Sequence, residues 1–336
     1  METGKITLDH GSGRQASHEL VRNLFLNHFD NQFLSSMDDS AILPPVNSCL
    51  AMTTDSYVVD PIFFPEGDIG SLAVHGTVNG LCMQGATPVY ITAGIILEEG
   101  FPIDDLDRIA HSMAQSAQAA GVKIVAGDTK VVPRGHADKI FINTSGIGLV
   151  PPGLVVGAHN ARPGDVVLIN GPIGDHGITL LTQREGLDFQ GDLVSDSAPL
   201  TSLVAQVLSS SDSVHVLRDP TRGGVATALN EIAEQSGVGI ELFEDQIPIR
   251  KEVRSACEIP GLDPLYIANE GKVLVFLAEL DVNNLLKSLL KHDLRQNTSI
   301  IGKVTSRNTG RVLLRTRVGG TRIVTILTGE QLPRIC

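Results

Sequence analysis

The chain has 336 residues, enough for two domains of ordinary size, each with its own core. Its 38 acidic residues outnumber 26 Lys and Arg, and the formal charge of -12 at pH 7 argues against a partner held by its phosphate backbone, so no nucleic acid is expected. No apolar run approaches the ~20 residues of a membrane-crossing helix, so no membrane partner is expected either.

In chain order, Met1-Glu2-Thr3-Gly4-Lys5 lacks the basic and apolar regions of a secretory signal, which leads us to expect a cytoplasmic protein. Residues 50–58 predict a strand, and residues 71–85, small and apolar, predict a closely packed helix. A second strand is predicted at Val89–Leu97. Leu106, Ile109, Ala110, Met113, Ala117 and Ala120 then recur at spacings that share one helical face. With strands at Val122–Ala126 and Ile140–Val150, the first half runs β-α-β-α-β-β, an order that suits an α+β sandwich better than a doubly wound sheet.

Val150-Pro151-Pro152-Gly153 through Arg162-Pro163-Gly164-Asp165 interrupts both periodicities and reads as a boundary. We divide the chain into domains at residues 1–155 and 156–330, followed by a mobile tail at 331–336. The second domain predicts strands at Val166–Asn170, Gly239–Phe243, Val273–Ala278, Ile300–Val304, Arg311–Arg315 and Arg322–Leu327. Its predicted helices span about 221–235 and 282–291.

Three loops are glycine-rich: Gly11-Ser12-Gly13, Gly171 to Gly177, and Gly223-Gly224. Such loops either cradle phosphate on exposed N–H groups or simply make turns. None fits the P-loop or dinucleotide spacing. Asp55 and Asp128 stand near predicted strand ends, a pair sufficient for a nucleotide-bound magnesium, which takes one or two protein carboxylates. Lys130 lies two residues beyond Asp128 on an extended segment and points the same way. Glu270, in Asn269-Glu270-Gly271-Lys272, is a candidate base whose pKa partial burial would raise. In Asp219-Pro220-Thr221-Arg222, Asp219 suits a metal and Arg222 a phosphate, while Thr221 can cap a helix. The four cysteines, Cys49, Cys82, Cys257 and Cys336, form no C-x-x-C pair, which fits reduced thiols. Cys336 is the last residue, and a thiol on a chain end can visit two sites in turn, as a carrier does. Arg334 would favour its thiolate and the terminal carboxylate would oppose it.

Together these segments resemble the HypE family of hydrogenase maturation factors, the carbamoyl dehydratases of the PurM-like ATP-binding superfamily. The resemblance rests on His10-Gly11-Ser12-Gly13, Thr54-Asp55-Ser56-Tyr57, Gly127-Asp128-Thr129-Lys130-Val131, Asp219 to Gly224, Asn269 to Lys272 and the terminal Pro333-Arg334-Ile335-Cys336. It implies an N-terminal ferredoxin-like α/β domain, a C-terminal α+β domain with a flexible tail, and a homodimer with ATP in the intervening cleft. It also implies that HypF places a carboxamide on Cys336. ATP-dependent dehydration then gives a thiocyanate, whose cyano group passes to iron on the HypC–HypD complex. By the same resemblance, Cys336, Glu270 and Lys130 are catalytic. Gly11, Ser12, Gly13, Asp55, Asn79, Asp128, Thr129 and Asp219 bind ATP, and Asp55 and Asp128 hold Mg2+.

Two positions depart from the family pattern. Gly80 stands where Thr-x-Asn-Asp ends in a carboxylate, and Arg14 replaces a second glycine. Two rival readings are another superfamily synthetase or kinase, such as a selenophosphate synthetase, and a degenerate ATP-binding scaffold for maturation partners.

Overall fold

Two sheets form where apolar residues alternate or cluster, and helices cover them where the apolar period lengthens. A computed structural model describes residues 4–35, 37, 40–186, 193–258, 260–289, 292, 298–327, 329 and 332–336. The first half opens with α1 (Gln15–Leu20), a π-turn at Val21–Phe25 and α2 (Leu26–Phe29). It continues through β1 (Cys49–Tyr57), the short pair β2 (Phe63–Phe64) and β3 (Gly67–Asp68), α3 (Ile69–Cys82), β4 (Thr87–Glu98), α4 (Ile103–Ala120), β5 (Lys123–Val132) and β6 (Ile140–Val150). The main sheet has the order β1-β6-β4-β5. Only β4 and β5 run parallel in it.

All six residues of the predicted α4 stripe are buried. Asp68 caps α3 by accepting from the N–H groups of Gly70 at 2.7 Å and Ser71 at 2.9 Å. A Cβ at Gly70 would stand 2.5 Å from the Ile109 carbonyl oxygen, so glycine is what lets α3 lie against α4. The opposite face of the sheet carries no helix among the described residues, and Leu50, Met52 and Ile96 are 56, 73 and 43% exposed there.

The second half comprises β7 (Asp165–Ile169), α5 (Asp175–Glu185), α6 (Thr201–Ser210), β8 (Val214–Arg218), α7 (Gly224–Ser236), β9 (Gly239–Phe243), α8 (Lys251–Glu258), β10 (Leu274–Ala278), α9 (Val282–Ser288), β11 (Ser299–Thr305), β12 (Arg311–Arg315) and β13 (Thr321–Val324). Its seven strands lie in the order β13-β12-β9-β11-β7-β10-β8. Alternate residues of β7 and β10 feed two cores: Val167, Ile169, Leu274 and Phe276 pack with α7, while Val166, Leu168, Val275 and Leu277 pack on the side of α5, α6 and α9. Burial on both faces explains their unbroken apolar sequence.

The sequence misses α1, α2 and the short pair β2 and β3 in the first half, and α5, α6, α8 and β8 in the second. In α5 the buried face includes His176, Gly177, Thr179 and Thr182, so a polar composition hides a helix that is inside. The strand predicted to end at Ala126 runs on to Val132 because β4 pairs with it throughout, which places Asp128 and Lys130 within β5. The helix predicted from Thr221 starts at Gly224, and the end of the helix predicted over 282–291 lies outside the described residues.

Candidate active site

Four of the predicted residues meet in a cleft between the two halves. Asp55 comes from β1, Asp219 from the turn after β8, Glu270 from the approach to β10, and Cys336 from the chain end. All line one cavity of about 170 Å³ that Arg222 and Gly80 also border.

Their positions follow from a connected set of buried hydrogen bonds. Asn269 donates to the carbonyls of Pro220 at 2.9 Å and Ile267 at 3.0 Å, and accepts from the Gly174 N–H at 2.8 Å. It thereby ties the third and second glycine loops to the residue before Glu270. The Asp196 carboxylate accepts from the N–H groups of Glu270 at 3.1 Å and Gly271 at 3.3 Å, and from Lys272 Nζ at 2.8 Å. Burial raises the Asp196 pKa, but Lys272 and these backbone donors outweigh it and the group sits below the ordinary carboxylate range. Removing one partner of a buried ion pair leaves the other charge stranded, at about 3–5 kcal/mol. We therefore expect Asp196→Ala to lower the unfolding free energy in a urea titration by that amount; a loss below ~1 kcal/mol contradicts the assignment.

Asn79, which the resemblance makes a nucleotide ligand, is engaged within the fold. It is 2% exposed, donates to the carbonyls of Ala198 at 3.0 Å and Glu270 at 3.2 Å, and accepts from the Leu200 N–H at 2.8 Å. With both ends of its amide engaged, it joins α3 to the second domain.

Glu270 is 4% exposed. Burial, then Asp219, Asp196 and Asp55, hold its carboxyl well above the ordinary range, against the pull of Arg222. Burial also raises Asp219, and Arg218 opposes it. Two carboxyls of the cleft thus have raised proton affinity, a setting suited to general acid–base work.

The tail expected to be mobile is docked in this structure. Leu332 and Ile335 are buried, the Val58 N–H donates to a main-chain carboxylate oxygen of Cys336 at 2.9 Å, and the Asp60 N–H to the Arg334 carbonyl at 3.2 Å. Arg334 adopts φ 53° and donates from Nε to the Val58 carbonyl at 2.8 Å, while its guanidinium pairs with Asp138. Arg184 donates to the carbonyls of Asp60, Pro333 and Arg334. His176 is fully buried and burial lowers its pKa, so the neutral ring donates from Nε2 to the Ile335 carbonyl at 2.7 Å while Nδ1 meets Ser195 Oγ at 2.8 Å. These contacts explain why the terminal sulfur faces the cleft.

The other predicted residues gather elsewhere. Gly11, Gly13, Asp128, Thr129 and Lys130 line a cavity of about 270 Å³ beneath α1 and α2, whose floor is apolar and includes Leu20, Phe25, Ile95 and Ile124. A Cβ at Gly11 would stand 2.4 Å from the Val131 backbone nitrogen, so glycine lets the loop lie directly on β5. Ser12 and Arg14 are exposed, and Ser12 Oγ donates to the Asp9 carbonyl at 2.8 Å. Lys130 and Asp128 pair at 2.8 Å with side chains 63 and 68% exposed.

Within one chain, two pairs of predicted residues stand apart. Asp55 and Asp128 stand on β1 and β5, the opposite edges of the sheet, three strand spacings or roughly 14 Å apart. Asp55 aligns through Thr144 and Ala93 with Gly127, so alternation turns Asp128 to the other face. They do not share an ion in one chain, and Lys130 does not reach Glu270 there. Gly223 and Gly224 are also needed for packing. Their φ angles are 74° and 61°, and a Cβ at Gly224 would meet the Leu265 carbonyl oxygen at 2.5 Å.

Sequence reasoning missed Asp196, Lys272, His176 and Arg184. His176 lies inside the second glycine loop already singled out, but Asp196 and Arg184 have no local signal, because their partners are distant in the chain.

Residues 37–150 match the sequence model of the AIR synthase related protein N-terminal domain, and residues 162–315 that of its C-terminal domain. The chain therefore belongs to the AIR synthase related class of two-domain proteins. Within that class it is a member of the carbamoyl dehydratase HypE family. It is 50% identical over 337 residues to carbamoyl dehydratase HypE of Cupriavidus necator, covering 100% of this chain and 96% of that protein. It is 45% identical to the Escherichia coli K12 protein of the same name, covering 98 and 99%. A crystal structure of hydrogenase maturation protein HypE in complex with ATP superposes with a TM-score of 0.95 at 50% identity, covering 98% of this chain and 99% of that one. HypE from a HypE–HypF complex gives 0.81 at 47% identity, covering 92 and 99%.

Proposed function

We propose that this enzyme dehydrates a carboxamide carried on the Cys336 sulfur to a thiocyanate, using ATP, as a source of cyanide ligands for hydrogenase iron. The observation that carries the reading is the terminal sulfur held in the same cavity as Glu270, a buried carboxyl whose pKa is raised. The amide oxygen of S-carbamoyl-Cys336 attacks the γ-phosphorus and ADP departs. The C–O bond then breaks as phosphate leaves, both N–H protons are removed, and S–C≡N remains. Glu270 takes one of those protons, because its carboxylate is the base aimed into the cavity.

The nucleotide belongs in the cavity beneath α1 and α2, where Gly11 and Gly13 let the chain approach closely, Ser12 stands exposed beside them, and the apolar floor suits a base. That cavity lies on β5, and Cys336 lies by β1, so a single chain separates ATP from its acceptor. A homodimer resolves this: the glycine loop, Asp128 and Lys130 of one copy meet Asp55, Asp219, Glu270 and Cys336 of the other. The exposed sheet face bearing Leu50, Met52 and Ile96 supports such pairing. Lys130, brought in from the second copy, stabilises charge on the transferring group.

Mg2+ fits the donor set. Asp55, Asp219 and Glu270 border one cavity, and the charge of Asp55 helps to raise the pKa of the other two, a repulsion that a divalent cation relieves. Phosphate oxygens would complete the ion's shell, since nucleotide-bound magnesium takes only one or two protein carboxylates. Asp55 would hold it, with Asp128 from the second copy, and it would neutralise phosphate charge. Gly80 borders the same cavity, and a Cβ there would meet only Thr53 atoms at 3.7 Å or more. Gly80→Asp is expected to tighten magnesium–ATP binding about tenfold by calorimetry, the worth of one added charge–charge contact of ~1.4 kcal/mol. Unchanged affinity rules out a metal-facing role for position 80.

HypF loads the sulfur in this reading, and the HypC–HypD complex receives the cyano group in the cytoplasm. The test is intact-mass analysis of the C-terminal peptide after incubation with HypF, carbamoyl phosphate and ATP. Carbamoylated and then cyanated Cys336 are expected, and neither in Cys336→Ala. A scaffold would show no conversion on the wild-type sulfur.

A further inference from the structure

The last strands carry a charge pattern unlike the rest of the chain. Residues 298–327 hold six of the 26 basic residues, Lys303, Arg307, Arg311, Arg315, Arg317 and Arg322, and none of the 38 acidic ones. They belong to β11, β12, β13 and their turns. Registers place Lys303, Glu241, Leu313 and Ile323 in one row across β11, β9, β12 and β13. That row faces away from α7, whose core takes the alternate residues Ile240, Val312 and Val324. No helix covers this face among the described residues, and β13 is the sheet edge.

Neighbouring carboxylates neutralise part of the charge. Glu241 pairs with Arg315 at 2.9 Å and Lys303 at 3.8 Å, and Asp263 pairs with Arg322 at 2.6 Å. Arg307, Arg311 and Arg317 form no ion pair among the described residues. At the same end, Ile323 is 54% exposed and Val318 95%. Arginine around a small apolar centre is a composition enriched at protein interfaces, and unpaired cations select a partner of opposite charge.

The patch also stands at the root of the carrier tail. Twelve residues separate Val324, the end of β13, from Cys336, which at full extension reach about 40 Å. A protein seated on β12 and β13 therefore lies within range of the sulfur once the docked tail lets go.

We propose that the face formed by β9, β12 and β13 docks HypF through an acidic surface, so that the protein loading Cys336 binds where the tail begins. This rests on HypF being the loading partner. Affinity of full-length protein for purified HypF tests it, by titration at about 0.05 and 0.5 M salt. Wild-type binding should weaken at the higher salt, because opposite charges across the interface are screened. The double variant Arg311→Glu, Arg317→Glu should bind at least tenfold more weakly at low salt, chiefly through slower association. Ile323→Asp should lose a similar factor with little salt dependence. Both variants change exposed side chains, and an unaltered urea midpoint will show that they fold.

Wild-type affinity in all variants overturns the docking face while leaving HypF as the loading partner. Weakened binding to HypC–HypD with HypF binding intact overturns the choice of occupant. No HypF binding by the wild type overturns both the docking face and the loading role.

Discussion

Mixing Cys336→Ala protein with Lys130→Ala protein is expected to restore thiocyanate formation that neither variant supports alone. The reason is the distance between the two halves of the site: the glycine loop, Asp128 and Lys130 lie on β5, while the sulfur, Asp55 and Glu270 lie by β1, on the opposite sheet edge. If two copies complete each site, a mixed dimer has one site in which Lys130 of the first variant serves Cys336 of the second. Its other site lacks both. Statistical exchange makes half the dimers mixed, each with one of two sites intact, so about a quarter of wild-type activity should return. Each pure variant should lose activity by roughly 10² or more, the usual worth of one preorganised charged group at a developing charge. The assay is single-turnover conversion of pre-carbamoylated protein, with dimer exchange checked by native mass spectrometry. Mixed dimers that form but stay inactive would show that each chain completes its own site, and the two-copy arrangement would have to be abandoned.

Glu270→Gln is expected to slow the dehydration step by about 10²–10⁴, the range for losing a positioned general base. The replacement keeps the size of the side chain and leaves the main-chain bonds to Asp196 and Asn79 in place. The pH profile separates this role from a structural one. Burial and the carboxyls of Asp219, Asp196 and Asp55 raise the Glu270 pKa, so its basic form appears only as pH climbs above the usual carboxylate range. The single-turnover rate of the wild type should therefore rise with pH through that raised ionisation, and the rate of the glutamine variant should not. Asp219→Asn removes one of the charges that raise it and should move the rising limb to lower pH. A glutamine variant within about fivefold of wild type would assign the proton to another group.

Much of the site was readable as residue types before any contact was known. Cys336, Glu270, Asp55 and Asp219 each sat in a segment that looked chemically purposeful, and all four border one cavity. What the sequence left open shares a cause. Asp55 and Asp128 stand near predicted strand ends, but strand order is a property of long-range pairing that no local pattern encodes, and within one chain β6 and β4 separate them. Asn79 is expected as a ligand from the family resemblance of Thr77-Val78-Asn79-Gly80. Its amide instead answers backbone groups more than a hundred residues away, at Ala198, Leu200 and Glu270.

The amino-acid order alone determined the strongly periodic elements, such as α4, the unbroken apolar strands, the glycine loops, and the family to which the segments belong. These depend on side-chain spacing and backbone freedom, which are local quantities. Tertiary structure decided which carboxyls face one another, that the pKa values of Glu270 and Asp219 are raised, and that Arg184 and His176 hold the terminal sulfur in the cleft. Burial and charge proximity set proton affinity, and neither exists until distant segments are packed together.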